Sequence, residues 1–274
     1  MDDQPKRQIF CGDMLEVLPQ FPDRSFDLCF TSPPYENART YGIDFKAKGE
    51  AFVEWCKPRF MECLRVTNGL ICWAINNKTR QFRSSCVIEC LVADLHRSGV
   101  NFRKSQVFHR VGIPGSGGPD YMRDDWEYVL VAQGFKGKLP WSNNTACGHA
   151  PKWAPGGAMS YRQSDGARVN GILRAYEPPK NANPGNVIKC KVGGGLMGSP
   201  LAHENEAPFP ESLAERFILP FCRPGGTVLD PFCGSGTTGS VAIKHGRKFV
   251  GIDIREEQCE LTLRRLDGVQ KVMC

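Results

Sequence analysis

The sequence has no apolar run long enough to cross a bilayer, and its first residues, Met1 to Arg7, lack the apolar stretch of a secretory signal. We therefore expect a protein that is neither membrane-spanning nor secreted. The expected location is the cytoplasm, in association with the nucleoid, in a prokaryote, or the nucleus in a eukaryote. Repeats and low-complexity tracts are also absent, and 274 residues with 41% hydrophobic content predict a large domain with a packed core.

The thirteen cysteines include no Cys-x-x-Cys pair, their number is odd, and many of them lie inside apolar runs. This pattern argues against a disulfide framework and gives little support to a structural zinc site, so reduced thiols are expected. His109, His149 and His203 show no metal spacing either, and no metal is predicted.

Two common nucleotide-binding fingerprints are missing as well. Gly234 and Gly236 lie between a strand that ends at Asp230 and a helix that begins at Thr237, but the second Gly-x-x-Gly spacing and the Gly-Lys-Ser/Thr of a P-loop are absent. The glycines allow a ligand to approach the backbone closely, and the first amides of the helix point at it. A later strand ends at Asp253, where nucleotide-binding α/β folds hold a ribose diol.

A stiff corner is present near the start of the chain. The apolar run 26–30 predicts a buried strand, and Thr31-Ser32-Pro33-Pro34-Tyr35 follows it. The two prolines end the strand because both lack a backbone N–H and fix φ. The corner offers a hydroxyl and backbone carbonyls that suit an amino group, and a ring that suits a flat heterocycle. A simple rigid turn is the alternative interpretation.

Strand-like runs alternate with helical periodicity, which predicts a doubly wound α/β sheet. The predicted strands are 8–11, 26–30, 70–75, 105–111, 126–131, 227–230 and 248–252, and the predicted helices are 14–18, 50–66, 84–97, 211–222, 237–245 and 256–266. Pro58 suggests a kink or a late start in the second helix, and Asn68-Gly69 a helix stop. The polar residues 36–48 predict a mobile lid beside the corner.

Basic residues are concentrated in one irregular stretch. Between Lys136 and Lys191 there are nine basic residues and two acids, an excess that exceeds the net charge of +6 of the whole chain. We predict a core domain of residues 1–134 and 200–274, with a basic insertion of residues 135–199. A surface for phosphates is favoured for this insertion over a solvated loop with chance lysines.

Together the two motifs resemble those of DNA amino-methyltransferases. The tract Leu229-Asp230-Pro231-Phe232-Cys233-Gly234-Ser235-Gly236-Thr237-Thr238 resembles their S-adenosylmethionine-binding motif, and Ser32-Pro33-Pro34-Tyr35 resembles their catalytic motif. The catalytic motif comes first, as in the circularly permuted β group. The segment 12–15 resembles the part that contacts the adenine of the cofactor, the segment 207–213 the part along its methionine end, and the segment 126–131 a hairpin strand near the target base.

The resemblance implies a Rossmann-like fold with a mostly parallel, seven-stranded sheet, S-adenosylmethionine as cofactor and double-stranded DNA as partner. It assigns catalysis to Ser32, Pro33, Pro34 and Tyr35, and target recognition to the insertion. It assigns cofactor binding to Asp13, Met14, Phe209, Pro210, Asp230, Phe232, Gly234, Ser235, Gly236, Thr237 and Asp253. Acids at strand ends also cap helices, which remains an alternative for Asp13 and Asp253.

A base must leave the duplex to reach such a site. Tyr35 is then expected to stack on it, while Ser32 and the carbonyl of Pro33 accept hydrogen bonds from its exocyclic amine, so that catalysis is mostly positioning and electrostatics. In this family serine is commoner among cytosine-N4 enzymes, which favours cytosine N4 over adenine N6. The absence of any Pro-Cys dipeptide disfavours cytosine carbon 5.

The remaining alternatives are an enzyme that acts on RNA, a catalytically inactive DNA-binding module, and a dinucleotide-dependent oxidoreductase. The intact motifs disfavour the module, and the glycine spacing disfavours the oxidoreductase. A second copy of the chain and a restriction nuclease are further candidate partners.

Overall fold

The computed structural model describes residues 6–37, 45–112, 119–120, 122–152, 160–170, 177–193, 195, 197–205 and 207–273. Within these ranges the helices are α1 (Met14–Val17), α2 (Glu50–Val66), α3 (Val87–Arg97), α4 (Glu211–Phe221), α5 (Thr237–Lys244) and α6 (Glu256–Met273). The first strands are β1 (Arg7–Cys11), β2 (Phe26–Thr31), β3 (Thr67–Ile75), β4 (Thr79–Arg80), β5 (Arg83–Ser84), β6 (Asn101–Phe102) and β7 (Gln106–Val111). The later strands are β8 (Trp126–Gln133), β9 (Ser160–Arg162), β10 (Arg168–Asn170), β11 (Val187–Lys191), β12 (Thr227–Asp230) and β13 (Lys248–Asp253). None of the described helices is both long and apolar enough to cross a membrane.

The main sheet is doubly wound and mostly parallel, as predicted. Its order is β1-β13-β12-β2-β3-β8-β7-β11, and β6 also pairs with β8. The strands from β1 to β3 in this order are parallel neighbours, and so are β7 and β11. β8 runs antiparallel to β3, β6 and β7. The described sheet thus has nine strands rather than the predicted seven, because β6 is only two residues long and β11 lies inside the predicted insertion.

Two hydrophobic layers enclose the sheet, because successive residues of a strand point to opposite faces. On one face Ile71, Trp73 and Ile75 of β3 pack with α1, α2 and α3. On the other face the alternate residues of β3 pack with α4, α5 and α6. There Phe30 of β2 stacks on Phe217 of α4, with ring centroids 4.9 Å apart.

The interpretation of Asn68-Gly69 as a helix stop was wrong. α2 ends at Val66 and β3 continues through Gly69. A Cβ on Gly69 would lie 2.0 Å from the backbone oxygen of Asp27. Glycine is therefore required here because β2 and β3 approach closely, at the place where their register shifts. α2 also begins at Glu50 and continues past Pro58, so the late start is not observed.

One predicted boundary shifts for a local reason, and one prediction lies partly outside the described residues. α3 begins at Val87 instead of residue 84, because Arg83–Ser84 forms β5. The lid prediction falls partly on residues 38–44, which lie outside the described residues. The described ends of that segment are joined by hydrogen bonds from Gly49 N to Glu36 Oε1 (2.7 Å) and from Asn37 N to Ala47 O (2.9 Å).

The chain divides into two compact units, Met1–Ser142 with Asn186–Cys274, and Asn143–Gly185. The second unit is therefore shorter than the insertion predicted at 135–199. β11 pairs with β7 of the main sheet, but the composition remains polar and basic through β11, so the sequence placed this strand in the insertion. The second unit contains the antiparallel pair β9–β10 and a bridge between His149 and Ala182.

Candidate active site

The two motifs meet where the sheet reverses its winding. β2 and β12 are parallel neighbours, with Leu28 beside Val228 and Cys29 beside Leu229. From β2 the chain continues to β3 on one side, and from β12 to β13 on the other side. In open α/β sheets a crevice forms at such a point, outside the carboxyl ends of the strands. The corner after β2 and the glycine loop after β12 therefore border the same crevice.

A cavity of about 260 Å³ lies in this crevice. Ten of the fifteen predicted site residues line it, namely Asp13, Met14, Ser32, Pro34, Phe209, Phe232, Gly234, Ser235, Thr237 and Asp253. The lining drawn from the described residues does not include the other five, which are Pro33, Tyr35, Pro210, Asp230 and Gly236.

Asp230 joins the two motifs and is not among the described residues that line the cavity. Its Oδ1 accepts hydrogen bonds from Thr31 Oγ1 (2.5 Å) and Phe232 N (3.2 Å), and its Oδ2 accepts one from Thr238 Oγ1 (2.6 Å). Burial raises the pKa of Asp230 to about 6, against the effect of these hydrogen bonds. The carboxyl group therefore fixes the residue before Ser32 and the start of the glycine loop with the same two oxygens.

The glycine loop depends on two residues in the left-handed region. Gly234 has φ +49° and Gly236 has φ +73°. A Cβ on Gly236 would lie 2.8 Å from Thr262 of α6, and a Cβ on Gly234 would lie 2.8 Å from the Asn205 amide nitrogen. Gly236 precedes α5 without a side-chain cap, so the first amides of this helix remain available to a ligand.

A buried arginine supports the loop from behind. Arg265 donates hydrogen bonds to Ser235 O (3.2 Å) and Thr237 Oγ1 (2.9 Å), and to Glu211 Oε1 of α4 (2.8 Å). Its side chain is 2% exposed. Because Glu211 directly follows Pro210, the N-cap of α4, Arg265 connects the segment before α4 to the loop that forms the opposite wall.

Asp253 has a structural role as well as a place in the cavity wall. Its Oδ2 accepts a hydrogen bond from Gly234 N (3.0 Å), and its Oδ1 accepts one from Arg255 N (3.0 Å). The Arg255 guanidinium lies 3.7 Å from Oδ1. Asp253 therefore holds the glycine loop in place while its side chain lines the cavity.

Asp13 likewise caps a helix and lies in the cavity wall. It is the N-cap of α1, where it accepts a hydrogen bond from Leu15 N (2.9 Å), and it also lines the cavity. Its Oδ2 pairs with Arg59 at 2.7 Å. The guanidinium of Arg59 lies 4.1 Å above the ring of Trp55, and both side chains line the cavity. Trp55 thus packs against the hydrophobic core and also forms part of the cavity wall.

Tyr35 is held by a partner that the sequence interpretation missed. Its hydroxyl donates a hydrogen bond to Glu127 Oε2 (2.6 Å), and Arg110 Nη1 lies 3.1 Å from Glu127 Oε1. Glu127 is 8% exposed, and burial raises its pKa although Tyr35 and Arg110 act in the opposite direction. An acid inside the otherwise apolar and aromatic run of β8 was the available signal.

Ser32 and Cys233 both line the cavity, but their side chains differ in hydrogen bonding and protonation. Ser32 lines the cavity, and its hydroxyl makes no hydrogen bond to any residue within the described ranges. Cys233 also lines the cavity, but burial raises the pKa of its thiol well above the usual value. A neutral thiol is a poor nucleophile, so Cys233 does not provide a reactive thiolate in the cavity.

Comparisons with known proteins identify relatives along most of this chain. DNA adenine methyltransferase YhdJ of Escherichia coli (strain K12) is 29% identical over 266 residues, which cover 95% of this chain and 83% of that protein. Orphan methyltransferase M.BamHII of Bacillus amyloliquefaciens is 30% identical over 266 residues, which cover 89% of each protein.

Two solved structures share the fold. PvuII DNA methyltransferase (cytosine-N4-specific) matches with a TM-score of 0.70 and 17% identity, covering 98% of this chain and 92% of its own. A DNA modification methylase from Thermus thermophilus, complexed with S-adenosyl-L-methionine, matches with a TM-score of 0.63 and 22% identity, covering 96% and 94%. The model of the DNA methylase family that groups N6 and N4 enzymes matches residues 26–264. The match contains both the corner and the glycine loop, and this chain belongs to the N6/N4 family of DNA methylases.

Proposed function

We propose that this protein transfers the methyl group of S-adenosylmethionine to the exocyclic N4 amine of a cytosine that is flipped out of duplex DNA. The observation that carries the choice of base is Ser32, which lines the cavity and whose hydroxyl has no hydrogen-bond partner among the described residues. Serine at this place in the motif is commoner among the cytosine-N4 enzymes that the chain resembles.

The polar and aromatic groups that line the cavity suit the methyl donor. Asn205 Oδ1 is a buried acceptor without a hydrogen-bond partner among the described residues, and Asn205 lines the cavity. The first amides of α5 suit a carboxylate, and Asp253 suits a ribose diol. Trp55 and Phe232 supply apolar, aromatic wall. When bound, S-adenosylmethionine supplies a methyl group on a sulfonium, which an amine can attack directly.

The residues of the corner then act on the target base. Tyr35, fixed through its hydroxyl by Glu127, would present its ring to the flipped base. Ser32 Oγ and the carbonyl of Pro33 would accept hydrogen bonds from the two N–H groups of the amine. Holding both hydrogens favours a more tetrahedral nitrogen, whose lone pair is then less delocalised into the ring. Catalysis consists of positioning and electrostatic stabilisation, without a covalent enzyme intermediate.

Adenine N6 is the second candidate, and the named specificity of YhdJ favours it. Cytosine and adenine present a similar edge, an exocyclic amine beside a ring nitrogen acceptor. The corner recognises mainly that edge, so a choice between the bases requires a product measurement.

The test is incubation of the protein with methylation-free genomic DNA and isotope-labelled S-adenosylmethionine. The DNA is digested to nucleosides, which are separated by mass spectrometry. We expect labelled N4-methyldeoxycytidine. Labelled N6-methyldeoxyadenosine instead would refute the choice of base but retain the reaction, and no labelled nucleoside would refute the enzyme proposal. Sequencing of the same DNA gives the methylated site.

A matched pair of variants tests the roles within the site. Ser32→Ala should lose methyl transfer while keeping affinity for S-adenosylmethionine in calorimetry. Asp253→Ala should weaken that affinity by about tenfold or more, as expected for a hydrogen-bonding group that faces a ligand hydroxyl. Full turnover of Ser32→Ala would contradict the assignment of the corner.

We further propose that the unit Asn143–Gly185 supplies DNA contacts that set the recognition sequence. Its described cations Lys152, Arg162, Arg168 and Lys180 are exposed, and only Asp165 and Glu177 oppose them among the described residues of this unit. Cations that neutralise phosphates make affinity fall with salt. Arg162→Ala combined with Lys180→Ala should weaken DNA binding and reduce the salt dependence by roughly two released ions, measured by fluorescence anisotropy. An unchanged salt dependence would refute this role.

A further inference from the structure

A short hairpin follows β3 and stands apart from the main sheet. β4 and β5 pair Arg80 with Arg83, so the loop between them consists of Gln81 and Phe82 alone. Both residues have positive φ, 48° and 63° respectively. A two-residue loop with positive φ at both positions is characteristic of a type I′ turn, which strongly favours Asn-Gly.

The residues at this tip are a poor choice for the turn itself. A bulky side chain at positive φ is a genuine outlier, and Gln-Phe replaces the two residue types that tolerate the conformation. Phe82 is also 67% exposed, so its ring is accessible to a ligand in solution. An unfavourable backbone conformation at an exposed position is typical of a functional residue.

The base of the hairpin is fixed to the candidate active site. Lys78 Nζ donates a hydrogen bond to the backbone oxygen of Asn37 (3.0 Å), two residues after Tyr35. Asn77 Oδ1 accepts a hydrogen bond from Ile88 N at the start of α3 (3.0 Å). β3 is the parallel neighbour of β2, so the hairpin and the corner leave the same edge of the sheet.

The hairpin is also strictly basic. Residues 76–85 contain Lys78, Arg80 and Arg83 and no acid. Basic residues on both sides of an exposed aromatic ring suit a polyanion with stacked bases, because the cations approach phosphates while the ring meets a base plane. A protein partner of acidic character would have no comparable use for the strained aromatic tip.

We propose that Phe82 inserts into the duplex beside the target nucleotide and occupies the space that the flipped base leaves. This rests on the proposed function to the extent that the target base leaves the duplex. Extrusion of a base costs stacking and pairing energy, and an apolar wedge between base steps compensates part of that loss. The ring of Phe82 therefore acts as a positioning group for flipping, without contact with the reacting atoms.

The first test needs neither turnover nor knowledge of the recognition sequence. Binding to an intact duplex is compared with binding to the same duplex carrying one abasic site, by fluorescence anisotropy. A wedge that fills a gap should give the wild-type protein a preference for the abasic duplex of about tenfold. Phe82→Ala should lose this preference. An equal preference in both proteins would overturn the proposal.

The second test separates flipping from folding and from general DNA affinity. Single-turnover methylation is measured on a duplex carrying the site found in genomic DNA, paired normally or mismatched at the target base. Phe82→Ala should slow the paired duplex about 10- to 100-fold and the mismatched duplex much less, because a mismatched base is easier to extrude. An equal deficit on both duplexes, or no deficit, would overturn the proposal.

A matched pair of variants separates the backbone strain at the hairpin tip from the function of the ring. Phe82→Gly removes the unfavourable φ, so its thermal midpoint should be equal to or above that of the wild type while methylation of the paired duplex falls. Gln81→Asn relieves the neighbouring position and keeps the ring, so its methylation should equal that of the wild type. A purely structural Phe82 predicts the opposite sign for stability, and that result would refute the wedge.

The two proposals fail in different ways. A wild-type protein that methylates no DNA but prefers the abasic duplex through Phe82 contradicts the methylation proposal and supports the wedge. A wild-type protein that methylates DNA while Phe82→Ala is equally active on the paired duplex contradicts the wedge alone.

Discussion

Replacement of Asp230 by asparagine should make the stability of the protein less dependent on pH. Asp230 is fully enclosed and accepts hydrogen bonds from Thr31, Thr238 and the amide of Phe232. Asparagine retains an oxygen for Thr31 and Phe232. Its amide nitrogen can donate to Thr238, whose hydroxyl lies 3.5 Å from the carbonyl of Phe30 as an alternative acceptor. The substitution therefore preserves the network while it removes the buried charge.

The magnitude follows from the pKa of Asp230, which burial raises from 3.8 to about 6. This difference corresponds to about 3 kcal/mol, at about 1.36 kcal/mol per pKa unit. Because the pKa in the folded protein is the higher one, the stabilising contribution is complete below pH 3.8 and is lost as the pH rises through about 6. About 1.4 kcal/mol of it should disappear between pH 5 and pH 7.5.

Urea unfolding of the wild type and of Asp230→Asn at several pH values between 5 and 7.5 measures this difference directly. The free energy of unfolding of the variant, relative to that of the wild type, should rise by about 1.4 kcal/mol over that range, since all other titrating groups are shared. A constant difference would show that Asp230 is not the titrating group. Asp230→Ala should instead lose about 2–5 kcal/mol at every pH, because it leaves buried hydroxyls without partners.

Three further substitutions test the site and its support. Tyr35→Phe should destabilise the protein by about 1.5–3 kcal/mol in urea unfolding, because the buried carboxylate of Glu127 loses a hydrogen bond. Glu127→Gln should reduce the free energy of unfolding by a smaller amount. Equal effects of the two substitutions would argue against that hydrogen bond. Arg59→Ala should weaken S-adenosylmethionine binding about tenfold in calorimetry through the loss of its pairing with Asp13, and an unchanged affinity would remove this pair from the cofactor wall. Gly69→Ala should destabilise by about 3 kcal/mol or more, since its Cβ would overlap the neighbouring strand, and a change below about 1 kcal/mol would contradict the close approach of the two strands.

The parts of the fold that local signals determine could be predicted from the sequence. The runs at β2, β3 and β12 are continuous and apolar, and the pair of motifs around Ser32 and Gly234 indicated which strands are neighbours. The chain order of these motifs also predicted the winding of the sheet, because a permuted Rossmann-like fold leaves few other arrangements. Ten predicted residues consequently line the cavity.

Long-range packing determined what the sequence did not reveal. Gly69 has the local character of a helix stop, and only the backbone of Asp27 on another strand explains its glycine. β11 alternates between exposed and buried residues, as a half-buried strand does, but it has only five residues and lies in a basic, irregular stretch, so the sequence interpretation missed it. The partner of Tyr35 is 92 residues away. The acid inside β8 is an unusual residue for that run, but a single sequence does not show that it pairs with Tyr35.

The central pairing of β2 with β12 also has a consequence for synthesis of the chain. β1 pairs with β13, and one edge of β2 pairs with β12, although about two hundred residues separate the members of each pair. While a ribosome makes the intervening residues, both early strands wait with unpaired edges and exposed apolar side chains. Such edges are templates for misassembly, and contacts this distant in sequence form slowly. The sheet is thus completed only after β12 and β13 have been synthesised, and until then the early strands need protection from misassembly.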